Sequence, residues 1–180
     1  MRKINVDKLK KGITGVTLAS SVFYHEALLV ALIQSGHQSG VILKLEGTFE
    51  EQIQLNWKSK ISLSILRAWQ NKVDVVNFAA VGLSLLLVCE LTNFKSFETG
   101  NIGTGIDYWM SSKKYIPGLE HFKREARLEI SGILEETKSN TINMRMNLKK
   151  KQVKKSDNSN TSAWISIVEF SAPKSKIEKQ

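Results

Sequence analysis

Two carboxylates in the C-terminal half of the chain have the residue types and spacing of a divalent-cation site. Asp107 lies early in the predicted strand IDYWMS, and Glu129 lies centrally in the next predicted strand, 22 residues later. Aspartate is disfavoured in strands, and a carboxylate buried without a partner costs free energy. Carboxylates on neighbouring strands can bind Mg²⁺, which can polarise a phosphodiester and lower the pKa of an attacking water. The pair therefore predicts a magnesium-dependent hydrolytic site.

A lysine from the following segment could complete this site. Residues 141–155 alternate partly as a strand does, but Met, Arg, Leu, Lys and Gln favour a helix, which Asn140 or Thr141 can cap. At about 100° per residue, Lys149 then projects from an apolar stripe. The other members of that stripe are Ile142, Met146 and Val153. A lysine in such a stripe needs a partner, and Glu129 is the predicted one.

The basic residues of the chain are concentrated around this lysine. The sequence has 26 Lys and Arg against 17 Asp and Glu, a net charge of +9. The excess is +3 in residues 1–90 and +6 in residues 91–180, and no acidic residue lies between Lys138 and Lys155. Such a segment attracts phosphate backbones. The lysines predicted to contact nucleic acid are Lys150, Lys151 and Lys154.

Each of these side chains also has an ordinary structural explanation. The two carboxylates could face solvent or pair with Arg127 and Lys113. Lys149 could extend its ammonium group past its apolar neighbours into solvent. The basic segment could be a solvated helix face. Carboxylates of Asp107 and Glu129 that point apart would remove the hydrolytic interpretation.

The apolar patterns predict an α/β fold with a mixed central sheet flanked by helices. The predicted helices cover residues 19–35, 62–91 with a break near Asn71, a turn at 119–125, and 141–155. The predicted strands begin with a hairpin of 40–46 and 52–58, and continue near Phe97 and at 106–111, 126–134 and 163–170. We expect a single domain over residues 1–180, with a frayed tail at 173–180.

The cysteine content and the apolar segments indicate the cellular compartment of the protein. Cys89 is the only cysteine, so an internal disulfide and a thiolate zinc cluster are both excluded. The most apolar stretch, residues 75–89, is shorter than the roughly 18–20 residues that span a bilayer, and Asn77 interrupts it. The basic N-terminus lacks a continuous apolar region. We therefore expect a buried core helix, no membrane partner and a cytoplasmic location.

The segments GTGIDYW and RLEISGI resemble the two strand motifs of the PD-(D/E)XK nuclease superfamily. The resemblance covers residues 70–172, because the helices before and after these motifs and the strand AWISIVEF fit its core topology. GTGIDYW, LEISGI and VEFS also resemble a family of uncharacterised bacterial proteins. The resemblance implies a restriction-endonuclease-like core, to which residues 18–60 add an N-terminal helix and β-hairpin. It also implies Mg²⁺ at Asp107 and Glu129, and a helix glutamate for which Glu90 is the candidate.

One position departs from the superfamily motif. The motif places lysine two residues after Glu129, where this chain has Ser131, and some relatives supply that lysine from the neighbouring helix, as Lys149 would here. The departure favours a non-catalytic or degenerate nucleic-acid-binding subunit of a larger bacterial assembly, which the family analogy associates with defence or mobile elements. The alternative is an active Mg²⁺-dependent nuclease. A protein partner or a homo-oligomer fits the first hypothesis.

Overall fold

A mixed sheet of eight strands forms the centre of this computed structural model, which describes residues 1–101, 103–114, 122–154 and 159–180. The strands are β1 (Arg2–Asn5), β2 (Val41–Gly47), β3 (Glu51–Asn56), β4 (Ser96–Thr99), β5 (Tyr108–Ser111), β6 (Ala126–Ile133), β7 (Ser162–Glu169) and β8 (Lys174–Lys179). The α-helices are α1 (Leu18–Gln34), α2 (Leu63–Ala68), α3 (Lys72–Leu91) and α4 (Ile142–Val153), and a 3-10 helix covers Val6–Lys11.

The sheet has the strand order β1-β3-β2-β8-β7-β6-β5-β4. Strands β4, β5 and β6 are successive antiparallel neighbours, whereas β6 and β7 are parallel and α4 connects them. Strand β8 is antiparallel to β7 and parallel to β2. The α/β class, the mixed sheet and the flanking helices predicted from sequence are therefore confirmed.

Alternation along the strands separates two apolar layers. Leu128 and Ile130 of β6 join the larger core, which also contains α1 and α3. Ile165 and Ile167 of β7 belong to a smaller cluster with α4. Because successive strand side chains face opposite sides of the sheet, Glu129 faces α4 and not α3.

The capping residues explain where two of the helices begin. Helix α3 starts after Asn71, whose side chain accepts a hydrogen bond from the Val73 amide, and this start separates it from α2 as predicted. Helix α4 starts after Thr141, whose hydroxyl accepts from the Met144 amide. Local capping and helix propensity thus prevail over the partial alternation of this segment.

Helix α3 is long and apolar enough to cross a membrane by length and composition, and it is the one such helix in the part of the chain that the structure describes. Of its most apolar window, 61% is buried inside the fold. Its residues contact α1, β6 and β7. The helix therefore forms part of the core, as the sequence predicts.

The prediction of a frayed tail at 173–180 is wrong. Residues 174–179 form β8 in the interior of the sheet, and Ser175 and Ile177 are fully buried. The high lysine content of this strand made its alternating pattern difficult to recognise in the sequence. Lys174 binds Glu136, and Lys176 shares Glu178 with Lys150, so part of the positive charge is balanced while the lysine stems cover the sheet.

Two further differences concern local structure. Residues 122–125 are not helical, which contradicts that part of the turn predicted at 119–125, and residues 119–121 lie outside the described residues. Strand β1 and the 3-10 helix were not predicted. Strand β1 pairs in parallel with β3, so tertiary pairing stabilises a segment too short for a clear sequence pattern.

Candidate active site

Asp107 lies directly before β5, beside the middle of β6. Its backbone amide donates to the carbonyl oxygen of Leu128 at 3.0 Å. Its Oδ2 accepts a hydrogen bond from the amide of Ile130 at 2.7 Å. These two bonds fix the Asp107 carboxyl group next to the residue between them, which is Glu129. The sequence placed Asp107 within a strand, and the structure places it one residue before the strand begins.

The Asp107 carboxyl group lies close enough to Glu129 for the charges of the two groups to interact. Glu129 is only 2% exposed, and its Oε2 has no hydrogen-bond donor among the described residues. Burial raises the pKa of Asp107. Burial raises the pKa of Glu129 as well, and the nearby Asp107 charge adds to that rise. Two ionised carboxylates repel each other, so a shared proton or a bound cation stabilises this arrangement.

The other oxygen of Glu129 is bound by two residues of α4. Lys149 Nζ donates to Glu129 Oε1 at 2.5 Å, and Gln152 Nε2 donates to the same oxygen at 2.8 Å. Lys149 also donates to Gln152 Oε1 at 3.2 Å. Only 18% of the Lys149 side chain is exposed, so it does not extend into solvent. The contact predicted between Lys149 and Glu129 is therefore present.

Gln152 was not singled out from the sequence. Its spacing from Lys149 was the available signal, because residues three apart share a helix face. Its amide provides both a donor for Glu129 and an acceptor for Lys149. Gln152 thus fixes the relative positions of the two charged groups.

A glycine allows the segment before Asp107 to approach α4 closely. Gly105 has a φ of +71°, in the left-handed region, and a Cβ there would lie 2.7 Å from the backbone oxygen of Gln152. Any other residue would be strained and would push the last turn of α4 away. Gly105, the second glycine of GTGIDYW, therefore allows Lys149 and Gln152 to approach the carboxylates.

The donor set fits a hard cation in part. Oxygen ligands suit Mg²⁺, which usually keeps several waters and takes only one or two protein carboxylates. Glu129 Oε2 is a buried oxygen without a donor, as a cation ligand would be. No cluster of three or more His, Cys, Asp or Glu suited to a metal occurs in the described parts of the chain. Asp107 and Glu129 are thus the side-chain ligands that the described structure offers.

The three lysines predicted to bind phosphate differ in their surroundings. Lys150 Nζ lies 2.5 Å from Glu178 Oε2, so its charge is balanced by an acid on β8. Lys151 and Lys154 are exposed, and neither has a carboxylate partner within the described ranges. The absence of acids in the surrounding sequence did not reveal Glu178, because that residue is distant in sequence. The structure therefore leaves Lys151 and Lys154 as the unpaired part of this basic face.

Other residues considered from the sequence lie elsewhere or have other contacts. Glu90, the candidate helix glutamate, binds Lys8 at 2.5 Å. Arg127 donates to the Ser159 hydroxyl at 2.7 Å. Burial raises the pKa of the Cys89 thiol to about 11, which keeps it protonated at neutral pH, as expected of an unreactive core cysteine.

Comparison of the chain with protein-family models, curated proteins and solved structures finds no match. The choice of function therefore depends on the geometry around Asp107, Glu129 and Lys149.

Proposed function

We propose that this chain is a metal-dependent phosphodiesterase that acts on nucleic acid, with Asp107, Glu129 and Lys149 as its catalytic residues. One observation carries the proposal: the half-buried Asp107 carboxyl group and the buried Glu129 carboxyl group lie close enough to interact, while Lys149 and Gln152 hold one oxygen of Glu129. Burying like charges together costs free energy that a structural role does not require. Titratable groups with pKa values shifted by burial and by a specific charge are concentrated at functional sites.

The order of elements supports the same proposal. A helix, three antiparallel strands, a crossover helix and a parallel strand occur in sequence as α3, β4, β5, β6, α4 and β7. That is the topology which the PD-(D/E)XK resemblance implies for a restriction-endonuclease-like core. Within this proposal, residues 1–60 extend the core, and β8 joins the two parts of the sheet.

The residues of the site have separate roles in the proposed reaction. Asp107 and Glu129 would hold Mg²⁺, whose chemistry is to acidify a bound water and to polarise the phosphodiester. Lys149 and Gln152 hold Glu129 Oε1, which leaves Oε2 buried and without a donor among the described residues. The Lys149 ammonium group also supplies a positive charge where negative charge develops on the phosphate. The Ile130 amide keeps the Asp107 carboxylate oriented.

The test is cleavage of plasmid DNA and structured RNA in Mg²⁺ or Mn²⁺, with and without EDTA. The wild type should cut at least one substrate, and Asp107→Asn and Glu129→Gln should each reduce the rate by at least about a hundredfold. Glu50→Gln is the matched control, because Glu50 is an exposed carboxylate of the β2–β3 turn. Cleavage that Asp107→Asn retains would come from a contaminant. Absence of cleavage with all substrates would contradict the proposal.

A second candidate is a non-catalytic nucleic-acid-binding subunit of a larger bacterial assembly in the cytoplasm. The observation that favours it is Ser131 at the motif lysine position, together with the lack of a third acidic, histidine or cysteine ligand beside Asp107 and Glu129 among the described residues. This candidate predicts that the wild type binds DNA or RNA in EDTA and cleaves neither in Mg²⁺. Binding with cleavage supports the phosphodiesterase instead.

A further inference from the structure

A cavity lined by basic residues lies near the carboxylate pair. The cavity has a volume of about 420 Å³ and lies between the first turns of α3 and α4, at the C-terminal end of β6. Its polar lining residues are Lys72, Asn77, Asn140 and Arg145, and none of the described lining residues is acidic. The positive ends of two helix dipoles lie beside it, which favours an anion there. The cavity therefore has the charge and hydrogen-bond donors that a phosphate group requires.

Arg145 links this cavity to the proposed active site. Its Nη1 donates to the Ser131 hydroxyl at 3.4 Å, and Ser131 shares a strand face with Glu129 two residues earlier. Two strand residues span about 7 Å, so Arg145 reaches β6 on the face that carries Glu129. Arg145 also lies four residues before Lys149 on α4, so the two cations share one side of the helix.

The guanidinium group of Arg145 is held in place without being neutralised. Its Nε donates to Asn140 Oδ1 at 2.7 Å and its Nη1 donates to the Ser131 hydroxyl, so its hydrogen-bond partners among the described residues are uncharged. Lys72 likewise has no acidic partner in the described part of the fold, and its side chain is exposed. Gly132 keeps the cavity wall close, since a Cβ there would lie 2.6 Å from the Val76 carbonyl oxygen. A fixed arginine with free donors can bind phosphate oxygens in a bidentate manner.

We infer that Arg145 and Lys72 bind a backbone phosphate of a nucleic-acid strand whose neighbouring phosphodiester lies at Asp107 and Glu129. This inference rests on the proposed function, because it assigns the substrate contacts of the same site. Arg145 acts here as a binding residue that sets the position of the strand. The same chemistry would suit free inorganic phosphate, so the experiment must separate the two sources.

The experiment measures fluorescence anisotropy of a short labelled single-stranded oligonucleotide in EDTA, so that binding is independent of metal. Arg145→Gln and Lys72→Gln should each weaken binding by about tenfold, the effect of losing a charge-assisted hydrogen bond. Each should also flatten the log–log salt dependence by about 0.7 units. Arg145→Lys should weaken binding less than Arg145→Gln, since it keeps the charge and loses the planar geometry. Lys60→Gln, at an exposed lysine between β3 and α2, should leave binding unchanged.

The outcomes separate the inference from the proposed function. If the wild type binds or cleaves nucleic acid and both cavity variants match Lys60→Gln, the cavity inference is overturned and the proposed function stands. If the wild type neither binds nor cleaves nucleic acid, both are overturned. Inorganic phosphate that competes at the affinity of the oligonucleotide would overturn the nucleic-acid assignment. Lys72 is exposed at the first turn of α3, so Lys72→Gln keeps the test valid if Arg145→Gln unfolds.

Discussion

Glu129 has a different neighbour at each of its carboxylate oxygens, and this difference determines how the site responds to pH. Oε1 accepts hydrogen bonds from Lys149 and Gln152, whereas Oε2 has no donor among the described residues. The nearby Asp107 carboxyl group carries the same charge when ionised. A proton or a divalent cation relieves the repulsion, and each leaves a measurable signature in stability.

The first prediction is that Asp107→Asn stabilises the protein at neutral pH. The raised pKa values of Asp107 and Glu129 mean that the folded state holds protons more tightly than the unfolded state. Their stabilising contribution is complete below the ordinary pKa of 3.8 for Asp107 and is lost as pH rises through the folded values. The substitution should raise the free energy of unfolding at pH 7 by roughly 1 kcal/mol and Tm by about 2–4 °C.

Urea denaturation between pH 4 and pH 8 measures this effect. The wild type should lose more stability than Asp107→Asn as the pH rises. Saturating Mg²⁺ should raise the unfolding midpoint of the wild type and not of the variant, because a ligand stabilises the state that binds it. A variant that is less stable than the wild type at pH 7 would show that the Asp107 carboxylate is a net stabilising group.

The second prediction separates Lys149 from its exposed neighbour Lys151. Lys149→Gln should lower the cleavage rate by at least about a hundredfold and affinity by less than about threefold, because its ammonium group is bound to Glu129 inside the site. Lys151→Gln should leave the rate at saturation unchanged and weaken binding. Single-turnover kinetics over a range of protein concentrations measure both quantities. Equal losses of affinity in the two variants would contradict a catalytic role for Lys149.

The principal residues of the site could be predicted from sequence because each carries a local signal. Asp107 and Glu129 are carboxylates in strand contexts, and helical periodicity places Lys149 in an apolar stripe. For Gln152, the only signal in the sequence was its spacing of three residues from Lys149, because a glutamine on a helix does not by itself indicate a functional site. The ion pair between Lys150 and Glu178 could not be found, because its partners lie on α4 and β8 and meet only through the sheet order.

Strand β8 is the element that differs most from the sequence expectation. It lies between β2 and β7, although four of its six residues are Lys or Glu. The sequence signal was the alternation of Ser175 and Ile177 with charged residues, which the terminal position and high charge obscured. Balanced charges on one face and buried small or apolar side chains on the other reconcile the composition with a central strand.

The third prediction is that the apolar face of β8 stabilises the whole sheet. Ile177→Ala should lower the free energy of unfolding by about 2–5 kcal/mol, because Ile177 is 0% exposed and its removal leaves a cavity. Ile42→Ala on the adjacent strand β2 is the matched control, and its cost should stay below about 1 kcal/mol because Ile42 is 38% exposed. Urea unfolding gives both values. Equal costs would mean that β8 contributes little to the core.

At the scale of the whole molecule, two groups of cations lie near the carboxylate pair. Lys151 and Lys154 lie on the exposed side of α4, and Lys72 and Arg145 line the cavity at the other end of the site. Lys150, in contrast, is balanced by Glu178. A nucleic-acid strand that crosses the site would therefore meet cations on both sides of the carboxylates.

The fourth prediction concerns the salt dependence of binding to duplex DNA. The double variant Lys151→Gln/Lys154→Gln should flatten the log–log slope by about 1–2 units, at roughly 0.9 for each phosphate that is no longer neutralised, and should weaken all sequences alike. Lys150→Gln should change the slope less than the double variant, because Lys150 Nζ lies 2.5 Å from Glu178 Oε2. Glu178→Gln should steepen the slope by freeing Lys150 and Lys176. Anisotropy titrations over a range of KCl concentrations measure these slopes. Identical slopes in all variants would show that the basic face is a solvated surface that does not contact phosphates.

The elements of the C-terminal core could be predicted from the sequence, whereas the pairing of strands that lie far apart in the chain could not. The strands β5, β6 and β7 and the helices α3 and α4 each have strong local patterns, and short connections make successive strands neighbours. The pairing of β2 with β8 and of β1 with β3 joins segments far apart in the chain. Periodicity within one segment contains no information about such pairings.

The central position of β8 has a consequence for biosynthesis. Residues 41–47 and 162–169 leave the ribosome before residues 174–179, and these last residues join them. Until then, β2 and β7 each present an open strand edge to the cell, and open edges template pairing with other chains. A released chain that ends before residue 174 is thus expected to bind chaperones or to aggregate, whereas residues 174–179 close both edges at once.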